Sequence, residues 1–241
     1  MPFCDTLRGG GDRPLVCEKK FAGPRSAVDR ARAVLLARCV PDGEHPFNRI
    51  ASVYFDSIGL ASLAEKDNGD SLKRKIRLRW YDDEAAAASG RITAFLEVKR
   101  RLCAARDKAR VAVQVSAKWL LQTPLDDPSF AGFLAAHAAE IGERPAGWSP
   151  VCCISYDRLR FFDPAGFSRV SLDWNIEAGR VNAARFPWVA APVRLDAAVC
   201  EFKNPGGVPP AWAAEMAAAG LAFGQFSKYG ELAGRIARGE I

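Results

Sequence analysis

Lys75, Arg77 and Arg79 alternate with Ile76 and Leu78 in one short run. In an extended chain residues two apart share a face, so this run sets three cations on one side and apolar groups on the other. The pattern recurs along the chain. Glu18 sits with Lys20, Glu97 with Lys99, Tyr156 with Arg158, Arg169 with Ser171 and Asp173, and Glu201 with Lys203. Arginine forks pair bidentately with phosphate oxygens and lysines act as compact point charges, so cations at this density suit a chain of phosphates. The interspersed carboxylates suit a hard divalent cation instead, Mg²⁺ or Mn²⁺, bridging protein and phosphate oxygens.

Such chemistry needs no covalent nucleophile, because phosphoryl transfer rests on positioning and charge neutralisation. His45, beside Pro46, and His137, on an alanine-rich stretch, read as structural or exposed. Seven cysteines without a C-x-x-C pair read as reduced, buried thiols of a cytoplasmic protein. The six tryptophans lie mostly among apolar neighbours, so they read as core and no nucleic-acid partner is expected, although Trp80 or Tyr81 is placed to meet an adenine ring. A formal charge of +6 with a pI near 9.0 favours a polyanionic partner. No run of apolar residues is long enough for a transmembrane segment.

The elements that must position these side chains are mostly strands. Segments 15–21, 50–55, 72–81, 92–101, 108–115, 151–162, 169–175 and 197–203 read as extended, with 72–81 and 92–101 forming a hairpin across a long alanine-rich loop. Helical periodicity marks 26–39, with Ser26 as its cap, a short element at 60–66, then 116–122, 128–141, 211–219 and 227–238. Asp67-Asn68-Gly69-Asp70 and the run at 206–210 read as breakers. Residues 1–14 are expected to be a flexible N-terminal segment and 15–241 a single domain. In a sandwich the ionic faces would look at water; in a closed barrel with helices outside they would line a lumen. The uniform dominance of arginine, lysine and glutamate on those faces favours the lumen.

The ordered set E-K-K-F at 18–21, S-V-Y-F-D at 52–56, K-I-R-L-R-W-Y at 75–81, F-L-E-V-K at 95–99, K-A-R at 108–110, Y-D-R at 156–158, R-V-S-L-D at 169–173, E-F-K at 201–203 and F-S-K-Y at 226–229 resembles the polyphosphate-polymerase domain of the vacuolar transporter chaperone (VTC) family. That family lies within the triphosphate tunnel metalloenzymes, a CYTH-like superfamily. The resemblance implies an α+β fold: an antiparallel β-barrel tunnel that binds ATP, inorganic triphosphate or polyphosphate. It implies transfer of the ATP γ-phosphate to a growing chain, the alternatives being a metal-dependent triphosphatase and a non-catalytic polyphosphate-binding module. Carried over position by position, it puts Arg77, Arg79, Lys99 and Glu201 at the reacting phosphates. Lys20, Lys75, Lys108, Arg158, Arg169, Lys203, Ser227 and Lys228 become substrate ligands, and Glu201 and Glu97 become ligands of Mn²⁺ or Mg²⁺. Hydrolytic members open on Glu-x-Glu-x-Lys; here Val16 replaces the first glutamate, which agrees with the polymerase branch. Gln225 stands where some polymerase members carry a further lysine.

Overall fold

In the computed structural model the described residues are 16–67, 72–82, 88–102, 105–205 and 208–240. The expected flexible segment 1–14, most of the Asp67–Asp70 breaker, and Gly206 and Gly207 lie outside them. The main strands are β1 (Val16–Gly23), β3 (Phe47–Ser57), β4 (Leu72–Tyr81), β5 (Arg91–Leu102), β6 (Ala105–Ser116), β7 (Trp148–Asp163), β8 (Ser168–Val181) and β10 (Ala198–Pro205). Three two-residue strands, β2 (Val40–Pro41), β9 (Val193–Arg194) and β11 (Ala222–Phe223), add to them. All join one antiparallel sheet of order β11-β1-β10-β8-β7-β3-β4-β5-β6, with β2 continuing beside β7 and β9 beside β8.

The alternation seen in the sequence becomes two sheet faces. Val53, Phe55, Ile76, Leu78, Leu96 and Val98 point to one side, where α3 (Ala117–Gln122) and α4 (Pro128–His137) cover them through Leu120, Phe130 and Leu134. On the same side of the other half, Phe21, Val170, Leu172, Cys200 and Phe202 meet α1 (Val28–Arg38) and the short α5 (Glu215–Ala218) through Leu35 and Met216. Each fully buried side chain of this size contributes about 1.5–3 kcal/mol, so these two layers hold the sheet's outer face. The short α2 (Ala61–Asp67) follows β3. The last helix, α6 (Lys228–Arg238), lies on the inner face, burying Tyr229, Leu232 and Ile236 against Tyr54, Cys152, Ile154 and Ile176.

The sheet is curled. β1 and β5 are six strand steps apart, roughly 29 Å in a flat sheet. Yet Lys99 Nζ on β5 lies 4.0 Å from Glu18 Oε2 on β1. The ionic faces therefore converge.

The expected closed barrel is not what the strand pairing gives. Among the described residues β6 and β11 end the sheet without pairing to each other. β11 pairs with β1 over only two residues before Gly224 N donates to Lys20 O and the chain turns into α6, so the gap is filled by this segment and by side chains. Ser26 does not cap α1 either: residues 25–27 form a 3₁₀ turn and the α-helix starts at Val28 with no side-chain cap. Cys39, Cys152, Cys153 and Cys200 are free and buried, as small apolar groups would be.

Candidate phosphate-chain site

The inner face encloses a cavity of about 600 Å³ lined by ten basic side chains and three carboxylates, an excess of seven positive charges. It brings together Lys20, Lys75, Arg77, Arg79, Lys99, Lys108, Arg158, Lys203, Ser227 and Lys228, with Glu97 and Glu201. A second cavity of about 410 Å³ shares Glu18, Lys20, Lys75, Lys99, Arg101 and Lys108 with it, so the basic lining continues. Arg169 is the exception among the expected ligands. It shares the face of Ser171 and Asp173 but is exposed and does not line the cavity, although Lys203, its register partner on β10, does.

The carboxylates act as anchors for the cations. Glu97 on β5, 1% exposed, accepts from Arg77 Nε and Nη2 at 2.8 and 2.6 Å, while Arg79, Lys108 and Arg110 stand 3.8, 3.2 and 3.6 Å away. Burial alone would push this carboxyl up, but Arg77, Arg79 and Lys108 outweigh it and hold it at about 2. Asp173, fully buried on β8, takes both prongs of Arg158 at 2.6 Å and Lys228 at 2.5 Å. Here too burial is overcome by Arg158 and Lys228, and the carboxyl lies below its ordinary range.

A third group spans β1 and β10, where Lys20 pairs in register with Glu201 and Glu18 with Lys203. Lys203 Nζ lies 2.6 Å from Glu201 Oε1, and Lys20 Nζ lies 2.8 Å from Glu18 and 3.7 Å from Glu201. Burial opposes the charge on Glu201, yet Lys203, Lys20 and Arg158 hold it well below the usual carboxylate range. Lys99 faces the same group. Burial, opposed by Glu18 and helped by Arg77, pushes its ammonium down to about 8, although 49% of the side chain still meets solvent.

The N-terminus of α6 closes one side. Ser227 caps it by accepting from Gly230 N at 3.1 Å, and the same hydroxyl accepts from Lys75 Nζ at 2.9 Å. Lys20 Nζ donates to Phe226 O at 3.0 Å. Tyr229 stacks on Tyr54 with centroids 5.0 Å apart and donates to buried Asp56 at 2.6 Å, while Tyr54 Oη accepts from Arg77 Nη1. A helix N-terminus and its free amides add to the positive character of this wall.

Sequence reasoning missed Tyr54, Tyr156, Arg110 and the anchoring role of Asp173. Tyr54 was hidden because β3 is buried on both faces. Tyr156, with Arg158 and Lys228 over its ring at 5.3 and 4.5 Å, did fall on an ionic face, but alternation cannot separate a ligand from a support. Trp80 belongs to the outer core, 3% exposed, so it cannot meet a nucleotide; Tyr81 is half-buried on the inner face.

Among the described residues no group of three or more His, Cys, Asp or Glu is arranged to hold a metal unaided. A hard cation would thus take part of its shell from the substrate. Glu18 and Glu201, diagonal neighbours on β1 and β10 and both held ionised, supply carboxylate oxygens of the right chemistry. Glu97, the other expected metal ligand, is likewise ionised, and like Glu18 and Glu201 it has cations against both of its oxygens.

These features define an α+β protein whose curled antiparallel sheet holds a cation-rich cavity on its inner face. The chain belongs to the VTC domain family, whose model matches residues 17–233. Comparison with curated proteins gave no match. Solved structures similar in fold include a candidate adenylate cyclase from Bacillus halodurans (TM-score 0.46, 10% identity, covering 79% of this chain and 81% of that one) and a second from Vibrio parahaemolyticus (0.43, 10%, 88% and 94%). A conserved protein from Pyrococcus furiosus follows (0.39, 9%, 84% and 85%).

Proposed function

We propose that this chain binds ATP and polyphosphate in the inner cavity and transfers the ATP γ-phosphoryl group to the end of a phosphate chain. The observation that carries the reading is the seven-charge cationic excess around one cavity, drawn from strands far apart in the sheet. Family membership supports a polyphosphate- or triphosphate-related role. Arg79 adds a specific feature: its guanidinium is largely buried, yet its Nε carries no hydrogen bond. A phosphate oxygen would satisfy it, and an unpaired buried donor otherwise costs about 1–3 kcal/mol.

In this reading Arg77 and Arg79 hold the ATP phosphates from β4, while Arg158, Lys203 and Lys228 hold them from the opposite side. Lys99 and Lys108 hold the incoming chain end. A terminal phosphate oxygen of that chain, ionised near neutral pH, attacks the γ-phosphorus; the bond to the β–γ bridging oxygen breaks and ADP leaves with the electron pair. No general base is required. The cations meet the charge that spreads over the γ-phosphoryl oxygens, and being held by Glu97, Asp173 and Glu201 they need no reorganisation. Glu201 with Glu18 would hold Mg²⁺ or Mn²⁺, which would supply further charge neutralisation.

The test is to incubate the protein with ATP and Mn²⁺ and resolve the products on a polyphosphate gel. A ladder is expected, lost in Glu201→Gln. Free phosphate without a ladder would make the protein a triphosphatase, and neither product with retained triphosphate binding would make it a binding module.

A further inference from the structure

Tyr54 on β3 and Arg77 on β4 are register partners whose side chains line the cavity together. Glu97 holds one edge of the Arg77 guanidinium, accepting from Nε and Nη2, and Nη1 donates to Tyr54 Oη at 3.1 Å. A guanidinium carries five N–H groups, so one remains on each terminal nitrogen, a pair suited to a single phosphate group. The Tyr54 hydroxyl, for its part, accepts from Arg77 and keeps a proton of its own, which no acceptor among the described residues meets.

A second layer fixes that hydroxyl. Tyr54 and Asp56 are two apart on β3 and so share a face. Tyr229, at the start of α6, clamps both. Its ring stacks on Tyr54 with planes 18° apart, and its hydroxyl donates to Asp56 Oδ2 at 2.6 Å. Asp56 is fully buried, and its Oδ1 accepts from the amides of Ser57 and Ser62 at 2.8 and 2.9 Å. Burial and the neighbouring Asp56 push the Tyr229 phenol up, so it stays protonated and remains the donor.

We infer that Tyr54 is a further ligand of the substrate: its hydroxyl donates to an oxygen of the phosphate group that Arg77 grips, and Asp56 and Tyr229 are the positioning residues that aim it. The inference rests on the proposed phosphate-chain site and adds a neutral donor to it. Where cations already repel one another, a hydroxyl binds a phosphate oxygen without adding to that repulsion. As acceptor from Arg77 and donor to the ligand at once, it also ties the turn of the guanidinium to the orientation of the phosphate.

Tyr54→Phe keeps the ring, the stack and the burial and removes only the hydroxyl. Calorimetric titration with inorganic triphosphate should show binding weakened about 10- to 100-fold, the range for a hydrogen bond to a charged group, with the unfolding midpoint of the free protein little changed. Tyr229→Phe keeps the stack but releases Asp56. It should also weaken binding, yet cause no further loss when added to Tyr54→Phe, because its effect runs through the hydroxyl. Losses that add would mean that Tyr229 and Asp56 only brace the fold, and would overturn their positioning role. A fluorotyrosine placed at position 54 reports the same contact with the hydroxyl retained: its fluorine NMR resonance should move with triphosphate and stay in place with sodium chloride at matched ionic strength. Native affinity in Tyr54→Phe, or an unmoved resonance with triphosphate bound, would overturn the assignment of Tyr54 alone. Failure of the intact protein to bind triphosphate would overturn the phosphate-chain reading and this assignment with it.

Discussion

Glu97 is the residue on which four cations of one wall depend. Its carboxyl is held at about 2, against an ordinary value of 4.5, so the unfolded chain takes up the proton first as the pH falls. That depression corresponds to about 3 kcal/mol of stability above pH 4.5, lost progressively as the pH drops toward 2. Replacing one partner of a buried ion pair typically costs about 3–5 kcal/mol because it strands the other charge. Glu97→Gln should therefore be several kcal/mol less stable than the native protein at pH 7, with Arg77 and Arg79 left uncompensated. Urea unfolding at pH 7 and pH 3 checks this: the gap should narrow markedly at the lower pH. A gap independent of pH would mean that Glu97 contributes shape, not charge.

At the scale of elements, α6 couples the cavity to the inner core. Its apolar face packs through Leu232 and Ile236, while its first turn presents Ser227 and Lys228 to the ligand. Ser227→Ala removes both the cap on Gly230 N and the acceptor for Lys75, and should lower stability by about 1 kcal/mol in urea unfolding. An unchanged midpoint would show that water replaces the hydroxyl in both roles. The strands were legible in the sequence because period-2 alternation is a local property: Lys75 to Tyr81 states its two faces unaided. The closing of the sheet was not legible, since it depends on how far β11 runs beside β1 before Gly224, a two-residue matter with no periodic signal. The site residues were readable through their faces, but the pairing of Asp173 with Arg158 and Lys228 requires knowing that β7, β8 and α6 meet. Arg169 shows the limit of the face alone: it pairs with the cavity residue Lys203, yet its own side chain is exposed and outside the lining.

Taken whole, the molecule carries a formal charge of +6, whereas the cavity alone carries an excess of seven. Everything outside the cavity is thus nearly neutral, and the net basicity read from composition is the charge of the site. Cations held this close repel one another, and the three anchoring groups offset that repulsion only in part. A polyanion that neutralises the excess should consequently stabilise the folded state, since the unfolded chain offers no comparable cluster. At a free concentration of about 100 times the Kd, linkage gives about 2.7 kcal/mol, which for a chain of this length corresponds to a rise in Tm of about 5–10 °C. Differential scanning calorimetry with inorganic triphosphate, against sodium chloride at matched ionic strength, measures it. The rise should appear with triphosphate and be absent with chloride. An identical Tm in the two salts would mean that the converging cations are satisfied by one another and by water, and that the cavity has no call for a phosphate chain.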